Sequence, residues 1–280
     1  MNGMRIGVSL TILALVCCIG FVGRAAPASA EMIRSKESGV DLYVKLSKPD
    51  GEGPFPAVVL LHGCSGTERN TGNQTVWRGL KRHAAFLNDR GFVTLIVDSF
   101  AERRAGDSCG NSSKYVPRRV GDAYAGLEYL ASRPFVDADR IGAVGFSQGG
   151  GVSLFSVSEM VVRKKTAYSI DSPVRFRAAV AFYPWCGYSY GSFFAPVLVL
   201  IGEKDDWTPA RHCTVLEKMM AFGSDTEFDV VVYPGAYHSF DMPIERAVRV
   251  YGHWVKQNPS AFRDAQERMA EFFARHLSQQ

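Results

Sequence analysis

Nearly unbroken apolar runs recur along the chain, and each stops at a small or polar residue. Ala57-Val58-Val59-Leu60-Leu61 ends at His62-Gly63, and Phe92-Val93-Thr94-Leu95-Ile96-Val97 ends at Asp98. Ile141-Gly142-Ala143-Val144 leads into Gly145, and the run from Ala178 to Tyr183 is closed by Pro184. The runs Pro196 to Ile201 and Phe228 to Tyr233 end at Gly202 and at Pro234-Gly235. A strand with one wet face alternates polar and apolar residues, so these runs read as strands buried on both faces. Helical periodicity lies between them, from Val76 to Asn88 (with Gly91 as its stop), from Val120 to Leu130 and from Ala261 to Leu277. Strands alternating with helices predict an α/β fold around a mostly parallel sheet. Right-handed crossovers then bring the strand ends and their loops to one edge, where such sheets bind ligands.

The first thirty residues follow a different pattern. Arg5 precedes an apolar stretch from Ile6 to Val22, and Ala28-Ser29-Ala30 comes just before Glu31. A basic start, a hydrophobic segment and an A-x-A site predict a signal peptide over residues 1–30, cleaved after Ala30. The apolar stretch falls short of the roughly 20 residues a span needs, so no stable membrane insertion is expected after cleavage. The expected product is a single exported domain, residues 31–280, periplasmic or secreted. Removing Arg5 and Arg24 lowers the formal charge from +4 to +2, which gives no support for binding nucleic acid. No coiled-coil pattern is present, so a monomer or small homo-oligomer is expected.

Four of the six cysteines lie beyond the leader: Cys64, Cys109, Cys186 and Cys213. An even number in an exported protein suggests disulfides. Cys64 and Cys109 follow successive strands on the same sheet edge, and Cys186 and Cys213 bear the same relation further along. The preferred pairing is therefore Cys64–Cys109 with Cys186–Cys213; four buried thiols are the alternative. No C-x-x-C or H-x-x-x-H spacing suggests a metal.

Gly145-Phe146-Ser147-Gln148-Gly149-Gly150 carries the chemistry. It sits between a predicted strand and a predicted helix, the context of a nucleophile elbow. The sharp turn needs small neighbours, and Gly145 and Gly149 supply them. Two later strand-end loops hold Asp205-Asp206 and His238. Ser…Asp…His is the chain order of α/β-hydrolases. A serine hydroxyl needs a base to take its proton, and histidine can do so near neutral pH. A carboxylate fixes the imidazole tautomer and stabilises the imidazolium. Asp205 is favoured over Asp206, either of which could instead cap the following helix. His238 is favoured over His62, His83, His212, His253 and His276 because it alone follows the acid on a strand-end loop. The oxyanion needs two N–H donors. Those of Gln148, just after the nucleophile, and Cys64, in the loop after Leu61, are the candidates.

These segments resemble the dienelactone hydrolase family of α/β-hydrolases over roughly residues 40–275. The likeness rests on His62-Gly63-Cys64-Ser65-Gly66, Val97-Asp98-Ser99-Phe100, the elbow, Gly202-Glu203-Lys204-Asp205 and His238-Ser239-Phe240. It implies a single domain of about eight strands with helices on both faces, no cofactor, and hydrolysis of small-molecule esters or lactones. It also favours Asp205 as the acid and Cys64 as an oxyanion donor. Founding members use cysteine where this chain has Ser147, so specificity for dienelactone does not follow. Those enzymes bind a substrate carboxylate with arginine, for which Arg103 and Arg104 are candidates. Trp185 and Trp207, on strand-end loops, are candidates to line the pocket. Two further readings compete with the esterase: a peptidase of the prolyl-peptidase branch, and a non-catalytic binding protein that has kept the fold.

Overall fold

Two strands precede the first apolar run: β1 (Ser29–Arg34) and β2 (Asp41–Ser47). The runs themselves become β3 (Phe55–Leu61), β4 (Val93–Asp98), β5 (Val136–Phe146), β6 (Ala179–Phe182), β7 (Val197–Gly202) and β8 (Phe228–Tyr233). The computed structural model describes residue 1 and residues 29–35, 38–106, 108–162 and 170–278. Among these, eight strands form one sheet in the order β1-β2-β4-β3-β5-β6-β7-β8. β2 is antiparallel to both its neighbours, and from β4 to β8 every pairing is parallel. A small hairpin, β9 (Val248–Val250) with β10 (His253–Val255), stands apart from this sheet.

Helices α1 (Glu68–Thr71) and α2 (Gln74–Asn88) follow β3, and α3 (Ser112–Ala131) follows β4. After β5 come α4 (Gln148–Ser156) and α5 (Glu159–Val162); α6 (Ala210–Gly223) follows β7, and α7 (Pro259–His276) follows the hairpin. Two of these helices open on asparagine caps. The Asn73 side chain accepts the Val76 N–H at the head of α2, and Asn258, just before Pro259, accepts the Ala261 N–H at the head of α7. Two glycines of β5 locate the two helical layers. A Cβ on Gly142 would lie 2.6 Å from the Phe273 ring of α7, whereas one on Gly145 would lie 1.8 Å from the Gly149 carbonyl of α4. Residues an odd number apart on a strand face opposite ways, so α4 and α7 cover opposite faces.

The core follows from this layering. Every residue from Ala57 to Leu61 and from Val197 to Ile201 is buried, and each fully buried Val, Leu or Ile contributes about 1.5–3 kcal/mol. Disulfides Cys64–Cys109 and Cys186–Cys213 are both formed, the pairing expected from the shared sheet edge. The first ties the loop after β3 to the segment between β4 and α3, and the second ties the loop after β6 to the first turn of α6.

Most of the predicted leader lies outside the described residues. Ser29 and Ala30 open β1, pairing with Leu46 and Lys45, so the expected cleavage point falls within that edge strand.

Candidate active site

β5 delivers Ser147 at its carboxyl end with φ 55° and ψ −117°. A non-glycine residue held there stores about 1–3 kcal/mol of strain, which the surrounding structure must sustain. Ser147 N–H donates to Phe182 O at 2.9 Å, and Ser147 O accepts Gly151 N–H at 3.1 Å. The flanking glycines are required by space. The Gly145 site abuts the Gly149 carbonyl, and a Cβ on Gly149 would lie 2.2 Å from Leu61 O at the end of β3.

The loops after β7 and β8 interlock. Lys204 N–H donates to Ala236 O at 2.9 Å, and a Cβ on Gly202 would lie 2.3 Å from that same oxygen. This close approach brings Asp205 to His238. The imidazole Nδ1–H donates to Asp205 Oδ2 at 2.7 Å, and Nε2 lies 3.0 Å from Ser147 Oγ. Asp205 is buried and accepts three further hydrogen bonds, from Trp207 N–H, Thr208 N–H and Thr208 Oγ1, at 2.8–2.9 Å. Asp206 instead faces outward; it accepts Trp254 N–H and lies 3.7 Å from the His253 ring. The arrangement can shift a proton from the serine to the imidazole while the carboxylate holds the ring.

Cys64 and Gln148 border the same cavity as Ser147. Gly63 O accepts His62 Nδ1–H at 2.7 Å and Gly66 N–H at 3.3 Å. In a trans peptide the N–H points opposite to the C=O, so these bonds turn the Cys64 N–H away from His62. His62 is buried, and its Nε2 accepts Ser99 N–H at 3.1 Å. Burial, and then the neighbouring Arg119 charge, push the His62 pKa down to about 3, so the ring is neutral. Arg119 is buried too. Its guanidinium donates to His62 O at 2.6 Å and to Gln148 Oε1 at 2.7 Å. Desolvation lowers its pKa to about 10, which leaves it cationic at neutral pH. Ser108 closes the circuit, bonding Cys64 O and the Gln148 side chain.

A cavity of about 230 Å³ opens at Ser147. Trp185 and Trp207 line it, together with Val116, Gly151, Tyr188 and Thr208. Arg103 and Arg104 do not, which corrects the expectation that they meet a substrate carboxylate. Arg103 donates to both oxygens of Asp122 at 2.7 Å, to Ser99 O at 2.6 Å and to Ser38 Oγ at 2.6 Å. Asp122 is fully buried on α3 and needs a counter-ion, and Arg103 serves as it. Arg104 is exposed, in a turn with φ 48°.

A second buried group, Tyr183, Asp241 and His83, packs beneath the site. Tyr183 OH donates to Asp241 Oδ1 at 2.6 Å, and His83 Nε2 lies 2.8 Å from Asp241 Oδ2. The Tyr183 ring rests on His238 with centroids 4.6 Å apart. Burial, reinforced by Asp241, raises the Tyr183 pKa well above its usual value, so the phenol keeps its proton. Its signal in the sequence, a tyrosine closing a strand and an aspartate after His238, has no distinctive spacing.

An eight-stranded sheet with one antiparallel member near its edge, carrying a serine at a sharp strand-to-helix turn and a hydrogen-bonded aspartate and histidine on two later strand-end loops, defines an α/β-hydrolase. The sequence model of the dienelactone hydrolase family matches residues 42–277. The chain belongs to that family. A Bradyrhizobium protein named "Probable 2-oxo-3-(5-oxofuran-2-ylidene)propanoate lactonase" is 26% identical over 229 residues, covering 76% of this chain and 84% of that one. Among solved structures, a dienelactone hydrolase-like promiscuous phosphotriesterase from metagenomic libraries superposes with a TM-score of 0.66 at 19% identity, covering 90% of this chain and 99% of that one. A dienelactone hydrolase from Anabaena variabilis superposes with a TM-score of 0.61 at 18% identity, covering 89% and 98%.

Proposed function

We propose that this protein is an exported serine hydrolase that cleaves carboxylic ester or lactone bonds through Ser147, His238 and Asp205. The observation that carries the reading is the hydrogen-bonded line from Ser147 Oγ through the His238 ring to Asp205, at 3.0 and 2.7 Å, opening on a cavity. His238 Nε2 takes the Ser147 proton as Oγ attacks the carbonyl carbon. The resulting oxyanion is held by the N–H groups of Cys64 and Gln148. Collapse expels the alcohol, which receives the proton from His238 and leaves an acyl-enzyme. A water then attacks with His238 as base, and release of the carboxylic acid restores Ser147.

Family membership supports hydrolysis of this bond class, and the lactonase name of the Bradyrhizobium relative points the same way. Export is supported by the two disulfides and by the leader pattern of residues 1–30. Among the described residues no helix is long and apolar enough to cross a membrane. The peptidase alternative is weaker, because the family match runs through nearly the whole domain and the cavity is small for a peptide on both sides of the scissile bond. A binding protein would have no use for all three groups.

The test is p-nitrophenyl acetate hydrolysis together with labelling by a fluorophosphonate. Wild type is expected to turn over the ester and take one label on Ser147. Ser147→Ala is expected to lose the label and about 10⁴-fold or more in kcat. Activity retained by Ser147→Ala would overturn the reading.

A further inference from the structure

We propose that the Ser147 cavity takes uncharged esters carrying a single aromatic ring and discriminates against substrates with a free carboxylate. The inference rests on the hydrolase reading above and names the substrate class of that site.

The first argument is charge. Among the described residues that line the cavity, none is charged. The cations that might serve a carboxylate are committed elsewhere. Arg103 is held by Asp122, Ser99 O and the hydroxyls of Ser35 and Ser38, and does not line the cavity. Arg119 lies behind the cavity wall, fully buried, with its terminal nitrogens on His62 O and Gln148 Oε1. A substrate carboxylate would lose water in this cavity and find no cation in return, and burying an unpaired charge is strongly unfavourable.

The second argument is shape. Three aromatic side chains, Trp185, Tyr188 and Trp207, line the cavity. Tyr188 packs against Phe155 and Tyr190, with centroids 5.8 and 6.0 Å away, and both indoles have neighbours of their own. The Cys186–Cys213 disulfide anchors the chain beside Trp185, whose carbonyl accepts Tyr190 OH at 2.7 Å. A Cβ on Gly187 would lie 2.7 Å from the Trp185 indole, so the indole packs where a side chain is missing. Trp207 packs against both His238 and His253, with centroids 4.9 and 5.0 Å away. Aromatic walls of fixed orientation favour a flat aromatic guest through stacking and edge contacts. An apolar cavity of about 150 Å³ accommodates benzene. The present 230 Å³ therefore takes one ring with the ester group and a short chain.

The experiment compares matched substrates. Methyl 4-acetoxybenzoate and 4-acetoxybenzoate share ring and scissile acetate and differ in a carboxylate. Phenyl acetate and cyclohexyl acetate share size and differ in aromaticity; phenyl and cyclohexyl esters are compared after correction for their measured hydroxide-catalysed rates. The neutral benzoate ester is expected to be favoured in kcat/KM by at least about tenfold, as is phenyl over cyclohexyl after correction. Trp185→Ala, which removes an aromatic wall without touching His238, is expected to raise KM more for phenyl than for cyclohexyl acetate. Equal or better turnover of the carboxylate, or no corrected preference for the aryl ester, overturns the proposal; the wild-type comparison decides even where Trp185→Ala does not fold. Failure of the hydrolase reading looks different: none of the esters is turned over and no fluorophosphonate label appears on Ser147.

Discussion

Arg119 and Gln148 are joined by a 2.7 Å hydrogen bond from a buried guanidinium to a buried side-chain amide, and the same guanidinium holds His62 O at 2.6 Å. One cation thus braces the loop after β3 and the turn into α4, the two segments that carry the proposed oxyanion donors. Its own carboxylate neighbour, Asp122, is engaged by Arg103. Replacing Arg119 by Met leaves two acceptors without their donor and frees both loops to drift. The expected result is a fall in kcat of about 10²-fold, the size of a lost oxyanion donor, with KM little changed. Arg119→Lys, which can still reach one acceptor, is expected to recover part of it. A loss of thermal stability with kcat unchanged in the folded fraction would mean that Arg119 only supports the fold.

The two adjacent carboxylates can be told apart by kinetics. Asp205 Oδ2 accepts from His238 Nδ1, and Asp206 sits at the surface beside Trp254 N–H. Asp205→Asn leaves a side chain of the same shape that no longer enforces the tautomer, and kcat is expected to drop by about 10⁴-fold. Asp206→Asn is expected to change kcat by less than about threefold, as for a surface substitution remote from the chemistry. Equal losses in the two variants would break the assignment.

The parallel sheet and the reactive line were legible because each depends on local pattern. Strands buried on both faces are unbroken apolar runs, and β8 spans Phe228–Tyr233 as expected. Ser147, Asp205 and His238 stand at strand ends, which topology gathers on one edge. What escaped has a physical reason in each case. β2 buries Leu42, Val44 and Leu46 on one face only, so it carries an alternating pattern and no apolar run. β5 begins at Val136, earlier than its apolar run, and the half-buried Asp137 and exposed Asp139 break the apolar pattern over its first residues. α3 starts at Ser112 and carries Pro117 within it, where a helix pattern is usually broken. Arg103 read as a substrate ligand because a sequence does not show that Asp122 lies beside it. Arg119 was invisible for the same reason: its partners are a carbonyl and an amide from two other strand ends.

His62 gives the fold an acid sensitivity with a definite sign. Its pKa is pushed down to about 3 in the folded protein, against about 6.5 for an ordinary histidine, so between these pH values the unfolded chain binds a proton that the native state refuses. Stability therefore rises with pH across that window and is lost as pH falls through it, with a limiting slope of about 1.4 kcal/mol per unit. Asp98, whose pKa is lowered from 3.8, acts in the same direction only in more acidic solution. Urea unfolding is expected to show a loss of about 2 kcal/mol from this residue between pH 6.5 and 5. His62→Gln is expected to flatten that part of the profile, whatever its stability at pH 7. An unchanged slope would mean that His62 accepts a proton in the native state.

The two disulfides are expected to separate in their effects on catalysis. Cys64–Cys109 closes a separation of 45 residues and Cys186–Cys213 one of 27. Chain entropy alone gives each about 4 kcal/mol of stabilisation, so removing either is expected to lower the melting temperature by a similar amount. Their positions differ. Cys64 borders the cavity and is the proposed oxyanion donor, and its partner Cys109 follows Ser108, which bonds Cys64 O. Cys186 follows Trp185, part of the cavity wall. The paired variant Cys64→Ser with Cys109→Ser is therefore expected to act on kcat, through a loosened oxyanion donor. Cys186→Ser with Cys213→Ser is expected to act mainly on KM for aromatic esters, through a displaced indole. Paired replacement avoids an unpaired thiol, and kinetics below the lower melting temperature keep folding losses out of the comparison. Identical kinetic profiles for the two paired variants would show that the bonds serve the fold alone and do not position the site.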